Sequence, residues 1–198
     1  MPYSDKHKVF WFHPMRTASR ATDEVLEYLK FSDVRNHSYI RDINHLEYTF
    51  ISNIRNPYSR VVSIYNLRRY ENEEMNFDFQ LWVKRMIQSL SDQKRVDWFN
   101  ELSIGKIFHE YKKFPEFYVR VETLEEDLMK IDCVKDNYDS ELDRIFNEII
   151  RENVFFNPNR ISWKDMYTQD LADMVYEYCE KDFLYFNYDK NSWKNGTP

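Results

Sequence analysis

The stretch Lys8-Val-Phe-Trp-Phe-His13 decides the fold, because it is a short apolar run of β-forming residues that ends at Pro14. Such a run is typical of a strand that is buried on both faces of a sheet. A polar loop follows, and residues 19–31 then have helical spacing. The apolar stripe of this helix consists of Ala21, Val25, Leu26 and Leu29. Strand, loop and helix in this order form the first half of a parallel β-α-β unit.

The same order recurs further along the chain. Residues 48–55, Tyr-Thr-Phe-Ile-Ser-Asn-Ile-Arg, predict a second buried strand, and Pro57 then stands in the first turn of a helix. The apolar stripe of that helix is Val61, Val62, Ile64 and Tyr65. Residues 116–121 predict a third strand, after which Glu122 begins an acidic segment that predicts another helix. This alternation favours one α/β domain over residues 1–198, with a central parallel sheet flanked by helices.

Amphipathic stripes predict three further helices, over Phe79–Leu90, Leu142–Ile150 and Leu171–Phe183. Residues 91–102 are polar and predict a surface loop.

Glycine is scarce, since the 198 residues include two, Gly105 and Gly196. The dinucleotide fingerprint G-x-G-x-x-G and the Walker loop G-x-x-x-x-G-K-[ST] both need several glycines in one short window. No window of this chain contains two, so both motifs are excluded. Any phosphate must therefore be bound in another way.

The two cysteines, Cys133 and Cys179, lie far apart and outside any C-x-x-C motif or His cluster. This pattern favours reduced thiols over a disulfide framework or a zinc site, and therefore a cytoplasmic protein. The sequence has no signal-like apolar segment at its start and no run of eighteen apolar residues, so we expect neither secretion nor membrane insertion.

The net charge of −6 argues against nucleic acid as a partner. The charge is unevenly distributed, however. Residues 1–70 carry eleven Lys or Arg against seven Asp or Glu, whereas residues 71–198 carry seventeen against twenty-seven. An anion-binding site is therefore expected in the first third of the chain.

Two polar segments follow predicted strands, at the edge where parallel sheets bind ligands. The first is Arg16-Thr-Ala-Ser-Arg20, with Thr22 beyond it, at a helix N-terminus that favours an anion and beside arginines and hydroxyls that add donors. An ordinary Ser/Thr helix cap flanked by solvent-facing arginines is the alternative. In the second segment, Arg55 at the strand end and Ser63 on the next helix are placed to hold one phosphate.

The two segments together resemble the nucleotide-binding elements of the sulfotransferases that use 3′-phosphoadenosine 5′-phosphosulfate (PAPS). The pattern is R-T-A-S after one strand and, about forty residues on, R-x-P-x-x-R-x-x-S-x-Y after the next. The first element is similar to the P-K-T-A-S-T-S loop of uronyl 2-O-sulfotransferases and their Golgi-type carbohydrate relatives. The resemblance implies a P-loop-like sulfotransferase fold, with PAPS-binding elements at about residues 8–31 and 48–70.

The end of the chain adds to this resemblance, which runs from about residue 8 to residue 188. Residues 159–162 and 167–168 resemble the N-x-S and Y-T segments of the family, and Asp182-Phe-Leu-Tyr-Phe-Asn-Tyr188 resembles its D-x-x-x-F-G-Y ending. Residues 71–115 do not match a segment of this family.

The resemblance implies transfer of a sulfuryl group from PAPS to a hydroxyl of a small-molecule or carbohydrate acceptor, without a metal. The residues that it assigns to the 5′-phosphosulfate are Arg16, Thr17, Ala18 and Ser19. Arg20 is added to this set because its positive charge favours an anion, and Arg16 is also expected to stabilise the leaving phosphate. Arg55 and Ser63 are assigned to the 3′-phosphate, and Arg160 is added from the final segments.

A general base is needed to remove the proton of the acceptor hydroxyl. Asn36-His-Ser-Tyr-Ile40 resembles the H-x-S-Y segment that carries the catalytic histidine in uronyl 2-O-sulfotransferases, so His37 is the predicted base. His45 and Asp42 are the alternative candidates for the general base. His13 is expected to lie in the core, and His109 to face solvent.

The chain departs from the family at three places. Arg16 stands for a lysine, Arg20 and Ala21 stand for Thr-Ser, and Asn187 stands for a glycine. Asparagine is well suited to the left-handed backbone that glycine often adopts. Because of these departures, the alternative function is a non-catalytic binder of a phosphorylated or sulfated ligand on the same fold. A small-molecule kinase is less favoured because no Walker lysine is present.

Overall fold

The structure is a computed structural model that describes residues 1–34, 47–71, 78–93, 101–151 and 163–195. The chain divides into two units, Met1–Ile54 with Lys113–Pro158 and Arg55–Lys112 with Asn159–Pro198. The prediction of a single domain over residues 1–198 stays a prediction.

The first unit contains a four-stranded sheet of order β1-β2-β3-β4. The strands are β1 (Tyr3–Ser4), β2 (Val9–Phe12), β3 (Thr49–Ile54) and β4 (Phe117–Arg120). The three predicted strands are confirmed as parallel neighbours, with Phe10 opposite Phe50 and Ile51 opposite Phe117. β1 pairs antiparallel with β2, so the sheet is mixed rather than wholly parallel. Two residues are too few to produce a periodic pattern, which is why the sequence did not reveal β1.

Helices follow the strands in the predicted α/β order. The α-helices of the described residues are α1 (Ser19–Tyr28), α2 (Pro57–Glu71), α3 (Phe79–Ser91), α4 (Ile104–Tyr111), α5 (Leu124–Leu128), α6 (Asp132–Lys135), α7 (Ser140–Ile145), α8 (Gln169–Tyr178), α9 (Glu180–Phe186) and α10 (Ser192–Asn195). A 3₁₀ turn (Val121–Thr123) precedes α5, a π-helical segment (Phe146–Arg151) continues α7, and a 3₁₀ turn (Trp163–Met166) precedes α8.

The core of the first unit covers one face of the sheet with α1 and the helices that follow β4. It joins Trp11 of β2, Ile51 of β3 and Val119 of β4 to Val25 of α1 and Leu128 of α5. Full burial of side chains of this size contributes about 1.5–3 kcal/mol each to stability. The predicted stripe of α1 is confirmed, because all four of its members are buried: Ala21, Val25, Leu26 and Leu29.

The predicted helix over Leu171–Phe183 is wrong as a single element, because Cys179 (φ −98°, ψ 20°) separates α8 from α9. On α9, the Asp182 carboxylate accepts hydrogen bonds from the Ser103 hydroxyl and from Ile104 N (2.8 Å) at the start of α4. Burial raises the pKa of Asp182 to about 6, although the hydrogen bond from Ser103 and the nearby charge of Arg60 both lower it. The sequence could not indicate this contact because α4 was not predicted.

Gly105 of α4 packs directly against α9. A Cβ atom at this position would lie 2.7 Å from the carbonyl carbon of Lys181 and 2.8 Å from its Cβ. No side chain fits there, so this glycine permits the close approach of the two helices.

The prediction of a surface loop over residues 91–102 is wrong at its end. Glu101 and Leu102 are buried, and Glu101 accepts hydrogen bonds from Ser103 N (2.9 Å) and from the Tyr178 hydroxyl (3.1 Å). Residues 94–100 lie outside the described residues. Within the described ranges, none of the helices combines the length and the apolar character that a membrane span requires.

Asn187 ends α9 in the left-handed conformation (φ 56°, ψ 43°). This confirms the expectation for the position at which the resembled family has glycine. Asparagine is one of the residues that adopt this backbone most readily.

We expect Asn187→Ala to be about 1 kcal/mol less stable than wild type, and Asn187→Gly to match wild type or exceed it, because a Cβ disfavours the left-handed backbone. Thermal unfolding measures the difference. Leu184 lies within α9 and is 66% exposed. At position 184 we expect the opposite order of stability, with Leu184→Gly about 1 kcal/mol less stable than Leu184→Ala. Greater stability of Ala than of Gly at position 187 would contradict the assignment.

Candidate functional site

The loop between β2 and α1 has a constrained backbone. Arg16 (φ 68°) and Ala18 (φ 59°) are both left-handed, although neither is glycine. Left-handed residues that alternate with other conformations direct successive N–H groups into one concavity, and such concavities bind anions. This geometry lies at the place where the sequence predicts an anion site.

Thr17 lies between these two residues and is tied to the start of the loop. Its backbone N–H donates to Pro14 O (3.2 Å), and its hydroxyl donates to the same oxygen (2.5 Å). The side chain is fully buried. The structure therefore differs from the expectation that the Thr17 hydroxyl donates to a bound anion, because that hydroxyl closes the loop instead.

The N-terminus of α1 has no side-chain cap. Its N-cap residue is Ala18, which makes no capping hydrogen bond, and the first turn contains no acidic residue. The first backbone bond of the helix runs from Thr22 N to Ala18 O (3.0 Å). The alternative of an ordinary Ser/Thr cap is therefore wrong. The N–H groups and the positive dipole end of α1 remain directed toward the loop, where they favour an anion.

Charged side chains surround this loop. Arg16 is half-buried and Arg20 is exposed. His13, which follows β2, is buried as predicted, and its Nε2 lies 3.1 Å from Asp23 Oδ1. This pair connects α1 to the end of β2.

Asn53 was not predicted as a site residue, yet its side chain contacts β2, the loop and α1. Its Oδ1 accepts from Trp11 Nε1 (2.7 Å), and its Nδ2 donates to Thr17 O (2.7 Å) and to Thr22 Oγ1 (2.6 Å). Asn53, Trp11 and Thr22 are all fully buried. Thr22, which was expected to offer a hydroxyl donor to the anion, accepts through Oγ1 in this contact and is fully buried. An amide within an apolar strand is the signal in the sequence that could have identified Asn53.

The second element belongs to the second unit and begins with a capped helix. Asn56 Oδ1 accepts from Tyr58 N (3.0 Å) and Ser59 N (3.4 Å), and Pro57 is the first residue of α2, as predicted. Arg55 comes directly before the cap. It is half-buried, and its Nε donates to Ser59 Oγ (2.9 Å).

Ser63 and Arg60 lie on α2 and are both fully buried. Arg60 Nη1 donates to Leu102 O (2.5 Å), so this second arginine of the motif supports the core. Burial lowers the pKa of the Arg60 guanidinium, while the nearby carboxylates of Asp182 and Glu101 raise it. Ser63 stands three residues further along the same helix.

Several predicted residues lie outside the described part of the chain: His37, its alternatives Asp42 and His45, and Arg160. Both cysteines are buried free thiols, as predicted. In the ranges that the structure describes, no group of three or more His, Cys, Asp or Glu side chains is arranged to hold a metal ion.

No family model, no curated protein and no solved structure matches this chain. The resemblance to sulfotransferases therefore depends on the sequence motifs and on their order along the chain.

Thr17→Val should lower the free energy of unfolding by about 1 kcal/mol, because valine keeps the volume of threonine but removes the donor to Pro14 O. Thr17→Ser keeps the hydroxyl and should lose less. Chemical denaturation of the two variants measures the difference. If Thr17→Val is as stable as wild type and Thr17→Ser is not, the hydroxyl does not support the loop.

Proposed function

We propose that the protein is a PAPS-dependent sulfotransferase that transfers a sulfuryl group to a hydroxyl of a small-molecule or carbohydrate acceptor. One observation carries the proposal. The loop at residues 16–19 combines two left-handed residues with an uncapped helix N-terminus and an arginine. Together these supply a phosphate site that needs no glycine.

In this proposal the first loop holds the 5′-phosphosulfate. As the bond between sulfur and the bridging oxygen breaks, negative charge develops on the leaving 5′-phosphate. The N–H groups of Ala18 and Ser19 and the guanidinium of Arg16 stabilise that charge. Arginine offers a planar fork of donors in place of the compact ammonium of lysine.

The 3′-phosphate is assigned to Arg55 and Ser63. The contact between Arg55 Nε and Ser59 Oγ (2.9 Å) orients the Arg55 guanidinium. Ser63 is fully buried, so its hydroxyl reaches a ligand only if the side chains around α2 move on binding. Arg55 therefore carries the main interaction with the 3′-phosphate.

The chemical step is an in-line displacement at sulfur. The acceptor oxygen forms a bond to sulfur, and the bond to the 5′-phosphate oxygen breaks with its electron pair. The products are the sulfated acceptor and adenosine 3′,5′-bisphosphate. The acceptor proton passes to His37, which is assigned from the sequence. An unperturbed histidine, with a pKa of about 6.5, is largely neutral at pH 7 and able to accept it.

A non-catalytic binder of phosphorylated or sulfated ligands on the same fold is the second candidate. Arginine at position 16, where the resembled family has lysine, favours it, because that exchange alters the group beside the leaving phosphate. A small-molecule kinase is the third, and ATP with magnesium is its diagnostic ligand.

Nucleotide binding separates the sulfotransferase from the kinase. Adenosine 3′,5′-bisphosphate at a hundred times its Kd should stabilise the protein by about 2.7 kcal/mol, which raises the melting temperature by about 5–10 °C. ATP with magnesium should not. Arg55→Gln should reduce the shift, whereas Arg85→Gln, at an exposed position on α3, should not. A larger shift with ATP and magnesium contradicts the proposal.

Transfer separates the enzyme from the binder. With PAPS and a panel of sugar, lipid and phenol acceptors, wild type should release adenosine 3′,5′-bisphosphate, and His37→Ala should lose this turnover while it still binds the nucleotide. His109→Ala is the matched control, since His109 is exposed on α4. Full turnover by His37→Ala would show that another group is the base. Nucleotide binding without transfer to any acceptor would favour the binder.

A further inference from the structure

Asn53 occupies an unusual place for an amide side chain. It is the next-to-last residue of β3, it is fully buried, and three different elements meet at its side chain. Trp11 belongs to β2, Thr17 to the loop and Thr22 to α1. An amide that is removed from water is stable only when its polar atoms have partners, and here both Oδ1 and Nδ2 have them.

The chemistry of the partners determines which way the amide faces. The indole N–H of Trp11 can only donate, so Oδ1 must face it. The carbonyl of Thr17 can only accept, so Nδ2 must face the loop. The two requirements agree, and the side chain has one orientation that satisfies both.

This orientation determines the direction of the next peptide N–H. The peptide bonds of the described residues are trans, and in a planar trans peptide the C=O and N–H groups point in opposite directions. The C=O of Thr17 points at Asn53, so the N–H of Ala18 points away from Asn53. That N–H belongs to one of the two left-handed residues of the loop.

We infer that Asn53 is a positioning residue for the 5′-phosphate. It holds the Thr17 carbonyl toward the core and thereby directs the Ala18 N–H toward the bound anion. Its contact with Thr22 fixes the position of α1 relative to the loop. A loop arranged before binding loses less entropy when the ligand arrives. The identity of the nucleotide in this inference rests on the proposed function.

The test compares two ligands that differ only in the 5′-phosphate. Calorimetric titration with adenosine 3′,5′-bisphosphate and with adenosine 3′-monophosphate gives a Kd for each. The Kd of the monophosphate divided by the Kd of the bisphosphate measures the contribution of the 5′-phosphate. Asn53→Leu removes the amide at similar volume, and Thr22→Val removes one of its contacts. Ser52→Ala is the matched control, since the Ser52 hydroxyl is buried on the same strand and donates to Asn53 O (3.0 Å).

Wild type should bind the bisphosphate more tightly than the monophosphate. The ratio should fall about tenfold in Asn53→Leu and about threefold in Thr22→Val, as expected for the loss of one hydrogen bond or part of one. It should stay within about twofold in Ser52→Ala. If Asn53→Leu does not fold, as judged by circular dichroism, the ratio measured for Thr22→Val tests the inference.

Two results overturn the inference in different ways. If wild type prefers the bisphosphate but the variants keep its ratio, or lose affinity for both ligands equally, Asn53 has only a structural role and the proposed function stands. If wild type does not prefer the bisphosphate, the proposed function fails and the inference fails with it.

Discussion

The parallel pairing of β2 with β3 is the constraint on which the first unit depends. Phe12 lies opposite Ser52, so both strands end at the same edge of the sheet. The loop that leaves β2 therefore begins beside Asn53, which can reach Thr17 across the strand ends. Without this pairing, the carbonyl of Thr17 would lose its buried donor, and the bonds from Thr17 to Pro14 O would hold the loop without it.

The scarcity of glycine has a structural consequence. In the described residues, seven residues other than glycine have a left-handed backbone, among them Arg16, Ala18 and Asn187. Such a backbone costs about 1–2 kcal/mol for most residues, and it persists only where the surroundings hold it. Around Arg16 and Ala18 the bonds of Thr17 do so. The loop thus adopts a left-handed backbone at two positions through constraint, without the conformational freedom of glycine.

Apolar residues allowed most of the fold to be predicted, because burial recurs at a fixed spacing in α1, whereas residues 57–65 of α2 are all buried. They could not reveal β1, which is two residues long, or the break at Cys179. The place of the candidate loop could be predicted from Arg16-Thr-Ala-Ser19, but the direction of each donor could not. That direction depends on Asn53, which lies 36 residues from Thr17 and 42 from Trp11 in the sequence. Local patterns contain no information about such contacts.

We infer that the loop binds a phosphate through backbone N–H groups that the fold of the first unit has already directed. A crystal structure with adenosine 3′,5′-bisphosphate tests this most directly. We expect the 5′-phosphate to lie within hydrogen-bond distance of the Ala18 and Ser19 N–H groups and of Arg16. A nucleotide bound elsewhere, or one whose 5′-phosphate does not contact the Ala18 N–H, would contradict it.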